Sequence, residues 1–157
     1  MKIKLLAIGK TDDKSLHALI QIYQERLRHY INFELVIIPE LKNSKNLSEN
    51  QQKEKEGDLL LKEMRSTDQL ILLDEKGQEY RSIEFSRFLQ KKMNSGVKQL
   101  VFVIGGPYGF SDKIYRKANG KVSFSKMTFS HQMIRLFVVE QIYRALTILK
   151  NEPYHHE

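Results

Sequence analysis

The chain has 157 residues, no cysteine and a formal net charge of +7 at pH 7. This length predicts one domain, residues 1–157, that buries enough surface to be stable without cross-links. The lack of cysteine excludes disulfides and thiolate metal or redox sites and suits a reducing cytoplasm, and no apolar run approaches the ~20 residues of a membrane span.

Apolar runs of strand length alternate with helical patterns. Residues 1–10 begin like a signal peptide, but charged residues follow the short apolar run at once, which favours a mature strand. The predicted strands are Lys2–Ile8, Phe33–Ile38, Gln69–Leu73, Leu100–Ile104 and Lys121–Phe124. The predicted helices begin at Asp12 or Asp13, Ser48, Ser82, Ser111 and Ser130, and end near Leu27, Met64, Asn94, Ala118 and Lys150. This order predicts an α/β fold, a mostly parallel sheet flanked by helices on both faces.

Three loops are expected at the carboxyl ends of these strands, where such folds bind ligands. They are the loop after Leu73, the loop that starts at Gly105 and the loop that starts at Phe124. The middle one, G-G-P-Y-G at residues 105–109, matches neither a Walker loop nor a dinucleotide loop. Its glycines fit a turn with positive φ, or an anion held at the N-terminus of the short helix that begins at Ser111.

The segment V-S-F-S-K-M-T-F-S-H-Q-M-I-R, residues 122–135, interleaves hydroxyls with apolar side chains. The hydroxyls are those of Ser123, Ser125, Thr128 and Ser130, and the apolar residues are Phe124, Met127 and Phe129. This composition suits a flat heterocycle held by backbone groups. It also suits a plain strand-to-helix connection with buried aromatic rings.

The last helix is apolar around nearly its whole circumference. One sheet covers only one face of it, so a second copy of the chain is the natural cover and a homodimer is expected. Three charged residues, Arg135, Glu140 and Arg144, interrupt the apolar surface. Glu140 and Arg144 have the i,i+4 spacing of an ion pair; alternatively, Arg144 faces a phosphate or an anionic base.

The C-terminal tail reads N-E-P-Y-H-H-E. Pro153 ends the helix, and Tyr154, His155 and His156 offer proton-transfer and stacking groups on a mobile end. The His pair also fits an expression remnant or a stray metal site. No metal-ligand spacing and no nucleophile motif occurs, so neither a catalytic metal nor covalent catalysis is predicted.

Positive charge is concentrated in the second half of the chain. Residues 76–157 contain 14 Lys and Arg against 6 Asp and Glu, whereas residues 1–75 contain 12 against 13. This asymmetry indicates an anionic partner, of which nucleic acid is the commonest large one. General solubility is the alternative.

Taken together, these stretches resemble the ribosomal RNA large subunit methyltransferase H family, the small single-domain members of the SPOUT superfamily. The resemblance runs over the whole chain in the same order. Its motifs are M-K-I-K-L-L-A-I-G-K (1–10), K-E-K-E-G (53–57), L-L-D-E-K-G-Q (72–78), F-V-I-G-G-P-Y-G (102–109), the segment 122–135, E-Q-I-Y-R-A (140–145) and N-E-P-Y-H (151–155).

The resemblance implies a C-terminal trefoil knot, a rare exception among folds, that holds S-adenosylmethionine in a bent shape without a metal. The residues that it implies for cofactor binding are Leu73, Gly105, Phe124, Ser125, Lys126, Met127, Thr128 and Phe129. The glycines would then clear space for the cofactor beside the backbone of Gly105.

The reaction implied is methylation of N3 of a pseudouridine in a 23S ribosomal RNA hairpin loop of the assembled ribosome, in the cytoplasm. The catalytic residues implied are Glu140, Arg144, Tyr154 and His155. Arg144 would face the phosphate or the developing imide anion with Glu140 orienting it, and Tyr154 and His155 would position the base and relay its proton, reaching across the dimer. Some relatives have Arg where this chain has His156, so a permanent charge is not expected there.

Two other functions compete with this one. A catalytically idle RNA-binding or ribosome-associated protein would keep the fold and the basic face, but it would not need the intact loops at 105–109 and 124–129. A small nucleotide-binding domain of flavodoxin type would need an anion-binding first loop, yet the residues after Ile8, G-K-T-D-D, include two acids.

Overall fold

A computed structural model describes residues 1–156 of the chain. The strands are β1 (Lys2–Ile8), β2 (Asn32–Ile38), β3 (Gln69–Glu79), β4 (Gln99–Ile104) and β5 (Gly120–Ser123). The α-helices are α1 (Lys14–Leu27), α2 (Glu49–Lys62), α3 (Ser82–Asn94), α4 (Asp112–Lys117) and α5 (Met133–Leu149). A short 3₁₀ turn, Ser44–Asn46, lies in the loop before α2. All ten predicted elements are confirmed in order and type.

The five strands form one sheet in the order β2-β1-β4-β3-β5, and every neighbouring pair is parallel. The predicted α/β class is therefore confirmed. Because all strands run in the same direction, their carboxyl ends meet at one edge of the sheet, where ligands of such folds bind. The trefoil knot that the resemblance implies is not tested by this strand order and stays a prediction.

Helices cover both faces of the sheet and create two core layers. On β4, Leu100, Phe102 and Ile104 pack in the layer of α1, α3 and α5, whereas Val101 and Val103 pack in the layer of α2 and α4. This alternation explains why β4 is apolar throughout: both of its faces are buried. Each large apolar side chain removed from water in this way contributes about 1.5–3 kcal/mol.

The predicted end of β3 is wrong. A loop was expected after Leu73, but β3 continues to Glu79 and pairs with β5 on both sides of an irregularity between Leu73 and Gln78. Gly77 makes this possible, since a Cβ there would lie 2.6 Å from the backbone of Val122. The polar residues D-E-K-G-Q carry no strand-like alternation, so this extension was not visible in the sequence.

The helix starts follow the predicted capping residues closely. The Asp13 side chain accepts a hydrogen bond from the backbone N–H of Leu16, and Ser48 and Gln51 form the reciprocal capping box. The last helix begins at Met133 rather than at Ser130, although the Ser130 hydroxyl still accepts from the Met133 N–H at 3.2 Å. The ends of α2 and β5 differ from prediction by one or two residues.

Backbone hydrogen bonds turn the chain back at the start of the tail. Asn151 has a left-handed backbone with φ of 56°. The N–H of Asn151 donates to the carbonyl of Ile148, and the N–H of Glu152 donates to that of Thr147, which is the Schellman pattern. The Tyr30 hydroxyl donates to the Glu152 carboxylate. The chain therefore turns back at the end of α5.

Within residues 1–156, no helix has the length and the apolar character that a membrane crossing requires.

Candidate active site

Three chain segments at the carboxyl edge of the sheet surround one cavity of about 410 Å³. They come from the irregular part of β3, from the loop after β4 and from the connection between β5 and α5. The predicted cofactor residues that line the cavity are Leu73, Gly105, Phe124, Ser125, Met127, Thr128 and Phe129. Lys126 is exposed and is not among the lining residues. Convergence of the three segments was expected from the parallel topology.

The glycines of the middle segment have local structural reasons. Gly109 has φ of 78°, and its N–H donates to the Gly106 carbonyl at 3.0 Å, which closes a tight turn. A Cβ on Gly106 would lie 2.1 Å from the carboxylate of Glu56, and a Cβ on Gly105 would lie 3.1 Å from the Phe110 ring. Positive φ and close packing thus account for these glycines.

The anion site considered at the N-terminus of α4 is not favoured by its surroundings. The helix has only six residues, with Asp112 in its first turn. The preceding Ser111 is buried, and a Cβ on Gly57 of α2 would lie 2.9 Å from the Ser111 hydroxyl. This end of α4 therefore packs against another helix.

The third segment, the connection between β5 and α5, is stabilised by hydrogen bonds of its own hydroxyls and by packing of its aromatic rings on α3 and α5. The Ser123 hydroxyl donates to the carbonyl of Ser125, and the Ser125 hydroxyl accepts from the N–H of Met127, both at 2.9 Å. The Phe124 ring packs edge-on against Phe85 of α3. The Phe129 ring packs on Phe137 of α5 with centroids 5.0 Å apart. The same short segment thus stabilises its own conformation and lines the cavity.

Several lining residues were not singled out by sequence reasoning, namely Asp74, Tyr108, Tyr115, His131 and Ile134. The Tyr115 hydroxyl donates to Asp74 at 2.6 Å. Burial, reinforced by this hydrogen bond, raises the pKa of Tyr115 to about 12, so the phenol is neutral at physiological pH. Tyr115 lies on a short helix without a motif, so no sequence signal marked it; His131 stood inside the quoted segment 122–135.

A second group of polar side chains lies between α5 and the tail, and it unites all four predicted catalytic residues. Arg144 donates to one carboxylate oxygen of Glu140 from Nη2 at 2.6 Å and from Nε at 3.0 Å. The Tyr154 hydroxyl lies 3.0 Å from the same oxygen, and His155 Nδ1 lies 3.4 Å from Arg144 Nη1. We call these four residues the tail cluster. Tyr23 of α1, which belongs to none of the quoted motifs, contacts Tyr154 through its hydroxyl at 3.1 Å.

The electrostatics of the tail cluster fix the protonation of two members. Burial lowers the pKa of Arg144, but the hydrogen bonds and charge of Glu140 outweigh it and raise that pKa overall, so the guanidinium stays charged. Burial, the hydrogen bond with Tyr23 and the charge of Glu140 raise the pKa of Tyr154, which keeps it a neutral phenol. Because a guanidinium only donates, Nδ1 of His155 is the acceptor side of the 3.4 Å contact with Arg144.

The tail cluster and the cavity are separate on one chain, since no member of the cluster lines the cavity. His155 instead lines a shallow surface depression together with Arg81 and Arg87 at the start of α3. His156, next to it, is exposed. The cationic side chains of the depression suit contact with an anionic partner.

The third charged residue of α5 has a structural role. Arg135 is 1% exposed, and it donates from Nη2 to the Ile8 carbonyl at 2.7 Å and from Nη1 to the Thr11 hydroxyl at 2.9 Å. These bonds tie the start of α5 to the end of β1. Elsewhere in residues 1–156, no group of three or more His, Asp or Glu side chains is arranged to hold a metal ion.

The family model described as "Predicted SPOUT methyltransferase" matches residues 1–155 of the chain. The chain is 69% identical to a protein of Flavobacterium johnsoniae named ribosomal RNA large subunit methyltransferase H, over 100% of both chains. Proteins of the same name from Christiangramia forsetii and Parabacteroides distasonis are 63% and 62% identical, covering 99% and 100% of this chain and of their own lengths.

Proposed function

The chain belongs to the SPOUT methyltransferase family, and on that premise we propose that it methylates ribosomal RNA of the large subunit with S-adenosylmethionine as methyl donor. The observation that carries the proposal is the convergence of three strand-end segments on one cavity. The same chain is basic and holds Arg144 preorganised in the tail cluster. Relatives with the corresponding name match the chain from end to end.

The cavity suits a molecule that combines a flat heterocycle, a sugar and an amino-acid end. Its volume falls within the usual range of small-molecule pockets. Its walls combine apolar side chains such as Leu73 and Phe124 with the Thr128 hydroxyl and with backbone groups of the turn at 105–109. At Gly106 the space that a methyl group would need is taken by Glu56, which does not line the cavity. The residues present therefore fit the donor.

When bound, S-adenosylmethionine supplies an activated methyl group on a positively charged sulfur. The chain's part is to hold that methyl in line with the acceptor atom and to keep water away from it. We assign holding of the donor to Leu73, Gly105 and the segment 124–129, with the Lys126 side chain left to contact RNA. No covalent bond between the protein and either substrate is required.

We propose N3 of a pseudouridine in a 23S ribosomal RNA hairpin loop as the acceptor. Its N–H is a weakly acidic imide that must lose its proton before it attacks the methyl group. Arg144 is held by two hydrogen bonds to Glu140, so its charge is oriented in advance and can stabilise the developing imide anion. The neutral Tyr154 positions the base, and His155 takes up the proton and passes it to solvent.

We further propose a homodimer in which the tail of one chain completes the cavity of the other. The tail cluster lines no part of the cavity on its own chain. Helix α5 exposes Met133 and Phe137, and α1, which packs on α5, exposes Leu19 and Ile22. A partner chain would cover these apolar side chains and bring its own tail toward the cavity.

The proposal is tested by methyl transfer to intact ribosomes, to isolated large subunits and to free 23S RNA from a strain that lacks this modification. We expect labelled methyl from S-adenosylmethionine in 23S RNA of assembled ribosomes, located to one pseudouridine by mass spectrometry of nuclease fragments. Binding of the donor without transfer to any RNA would point to the idle RNA-binding alternative. Absence of donor binding in calorimetry would end the proposal.

A further inference from the structure

One carboxylate is buried directly behind a wall of the cavity. Glu56 of α2 is 4% exposed, and its Oε1 accepts a hydrogen bond from Gln52 at 2.8 Å. Its Oε2 has no hydrogen-bond partner among the described residues. Because a Cβ on Gly106 would lie 2.1 Å from this oxygen, and because Gly106 also lines the cavity, little more than the Gly106 backbone separates carboxylate and cavity.

The fold gains nothing from a charge at this position. A buried carboxylate without a paired cation destabilises a protein compared with a well-packed apolar side chain. The polar groups that face Glu56 are Gln52 on its own helix, Glu40 after β2 and His131 after β5. Burial raises the pKa of Glu56, opposed by the Gln52 hydrogen bond and the charge of His131. Of these neighbours, His131 also lines the cavity.

We propose that Glu56 is the residue by which the cavity distinguishes the cationic methyl donor from its neutral reaction product. This inference rests on the proposed function. In the transfer, the carbon–sulfur bond breaks and both of its electrons stay on sulfur, while the imide nitrogen forms the new bond to carbon. S-adenosylmethionine therefore has one more positive charge than S-adenosylhomocysteine. A negative charge behind Gly106 attracts the donor and loses that attraction when the methyl group has left, which favours product release.

The test compares three ligands that share the adenosine and amino-acid ends. These are S-adenosylmethionine, S-adenosylhomocysteine and sinefungin, in which a charged amine replaces the sulfonium. Dissociation constants are measured by calorimetry for the wild type, Glu56→Gln and the control Glu63→Gln, an exposed glutamate at the end of α2. Glutamine keeps the size of the side chain and an oxygen for the Gln52 hydrogen bond.

We expect Glu56→Gln to weaken binding of both cationic ligands roughly three- to tenfold, the order of a screened single charge, and to leave S-adenosylhomocysteine within about twofold. Retained binding of the neutral ligand also shows that the cavity is intact. Glu63→Gln should leave all three constants unchanged. An equal change for charged and neutral ligands, or no change, would overturn the inference and leave Glu56 a purely structural role.

The pH dependence of ligand binding gives a second check. The preference for S-adenosylmethionine over S-adenosylhomocysteine should grow as pH rises from 5 to 8, because ionisation of Glu56 adds the attracting charge. The sulfonium makes the amine of the donor more acidic than that of the product, so only the part of the pH trend that Glu56→Gln abolishes belongs to Glu56. A wild-type protein that binds none of the ligands would instead refute the proposed function itself.

Discussion

Two glutamates of this protein have opposite surroundings. Glu140, in the tail cluster, accepts two hydrogen bonds from Arg144 and lies within bonding distance of the Tyr154 hydroxyl. Glu56, behind the cavity, has one neutral donor and a buried oxygen that finds no partner within residues 1–156. The first carboxylate is neutralised by its partner, whereas the second retains an unbalanced charge whenever it ionises.

The difference separates two ways of building a site. In the tail cluster, Glu140 holds Arg144 by two hydrogen bonds, and in the proposed mechanism Arg144 is the group that acts on the substrate. Around the cavity, backbone turns, apolar side chains and short polar side chains form the walls, and the proposed charge of Glu56 lies behind them. Breaking the pair of Glu140 and Arg144 should therefore reduce activity much more than removing the charge of Glu56.

The largest effect is expected when the tail pair is broken. Arg144→Ala should reduce methyl transfer at least about 100-fold, the usual loss when one preorganised donor to a developing anion is removed. Affinity for S-adenosylmethionine should change less than about twofold, because Arg144 does not line the cavity. Transfer is measured in single-turnover assays and affinity by calorimetry. Arg116→Ala, which removes an exposed arginine from α4, is the control for simple loss of charge. Full activity of Arg144→Ala would remove its proposed role.

A smaller effect, and one that tests how the two regions meet, comes from blocking the cavity. Thr128 is exposed and lines the cavity, so Thr128→Trp should fill space with little cost to the fold and weaken donor binding at least about tenfold. Assayed with the donor below its wild-type dissociation constant, this variant loses activity while its tail cluster stays intact. The reason for the loss therefore differs from that of Arg144→Ala.

Mixing the Arg144→Ala and Thr128→Trp variants under these assay conditions shows whether the tail cluster and the cavity of one active site belong to different chains. If the tail of one chain serves the cavity of the other, half of the dimers in an equal mixture are mixed and each has one intact site. Activity should then return to about a quarter of the wild-type value. No recovery after the subunits have been exchanged by mild denaturation and refolding would place both regions in the same chain's site. A monomer in sedimentation would do the same.

The sequence was sufficient for most of the fold because its local signals agree with the topology. The capping box at Ser48 and Gln51, the helical spacing in α1 and the apolar run of β4 each pointed to the element that forms. The extension of β3 was missed since residues 74–79 are polar. It depends on Gly77 passing the backbone of Val122, a contact between distant parts of the chain.

The sequence predicted which residues form the site, but it did not predict their tertiary contacts or their burial. The i,i+4 spacing gave the pairing of Glu140 with Arg144, and motif resemblance brought in the tail. That Tyr23 approaches Tyr154 depends on how α1 packs against α5, which no local pattern specifies. The burial of Glu56 was equally invisible, since its stretch K-E-K-E-G reads as a solvated helix face.

The smallest expected effect is on the stability of the fold. Its dependence on pH should differ between variants of Glu56 and variants of Glu140. Burial raises the pKa of Glu56 in the folded state above its unfolded value, so the folded state binds the proton more tightly. The associated stability is fully present below the unfolded pKa and is lost as pH rises through the folded pKa. Glu56→Gln cannot ionise and avoids this loss. Its melting temperature should therefore exceed that of the wild type by about 2 °C or more at pH 8, with a smaller difference at pH 4.

The matched variant Glu140→Gln should behave in the opposite way. It leaves Arg144 partly buried beside an uncharged partner, so it should lower the melting temperature at pH 8, where the wild-type pair is complete. Differential scanning calorimetry of both variants at pH 4 and pH 8 measures this contrast. If Glu56→Gln melted below the wild type at pH 8, the carboxylate would have to be paired by a group of the assembled protein. Its charge would then be balanced as that of Glu140 is, and it would no longer favour a cationic ligand.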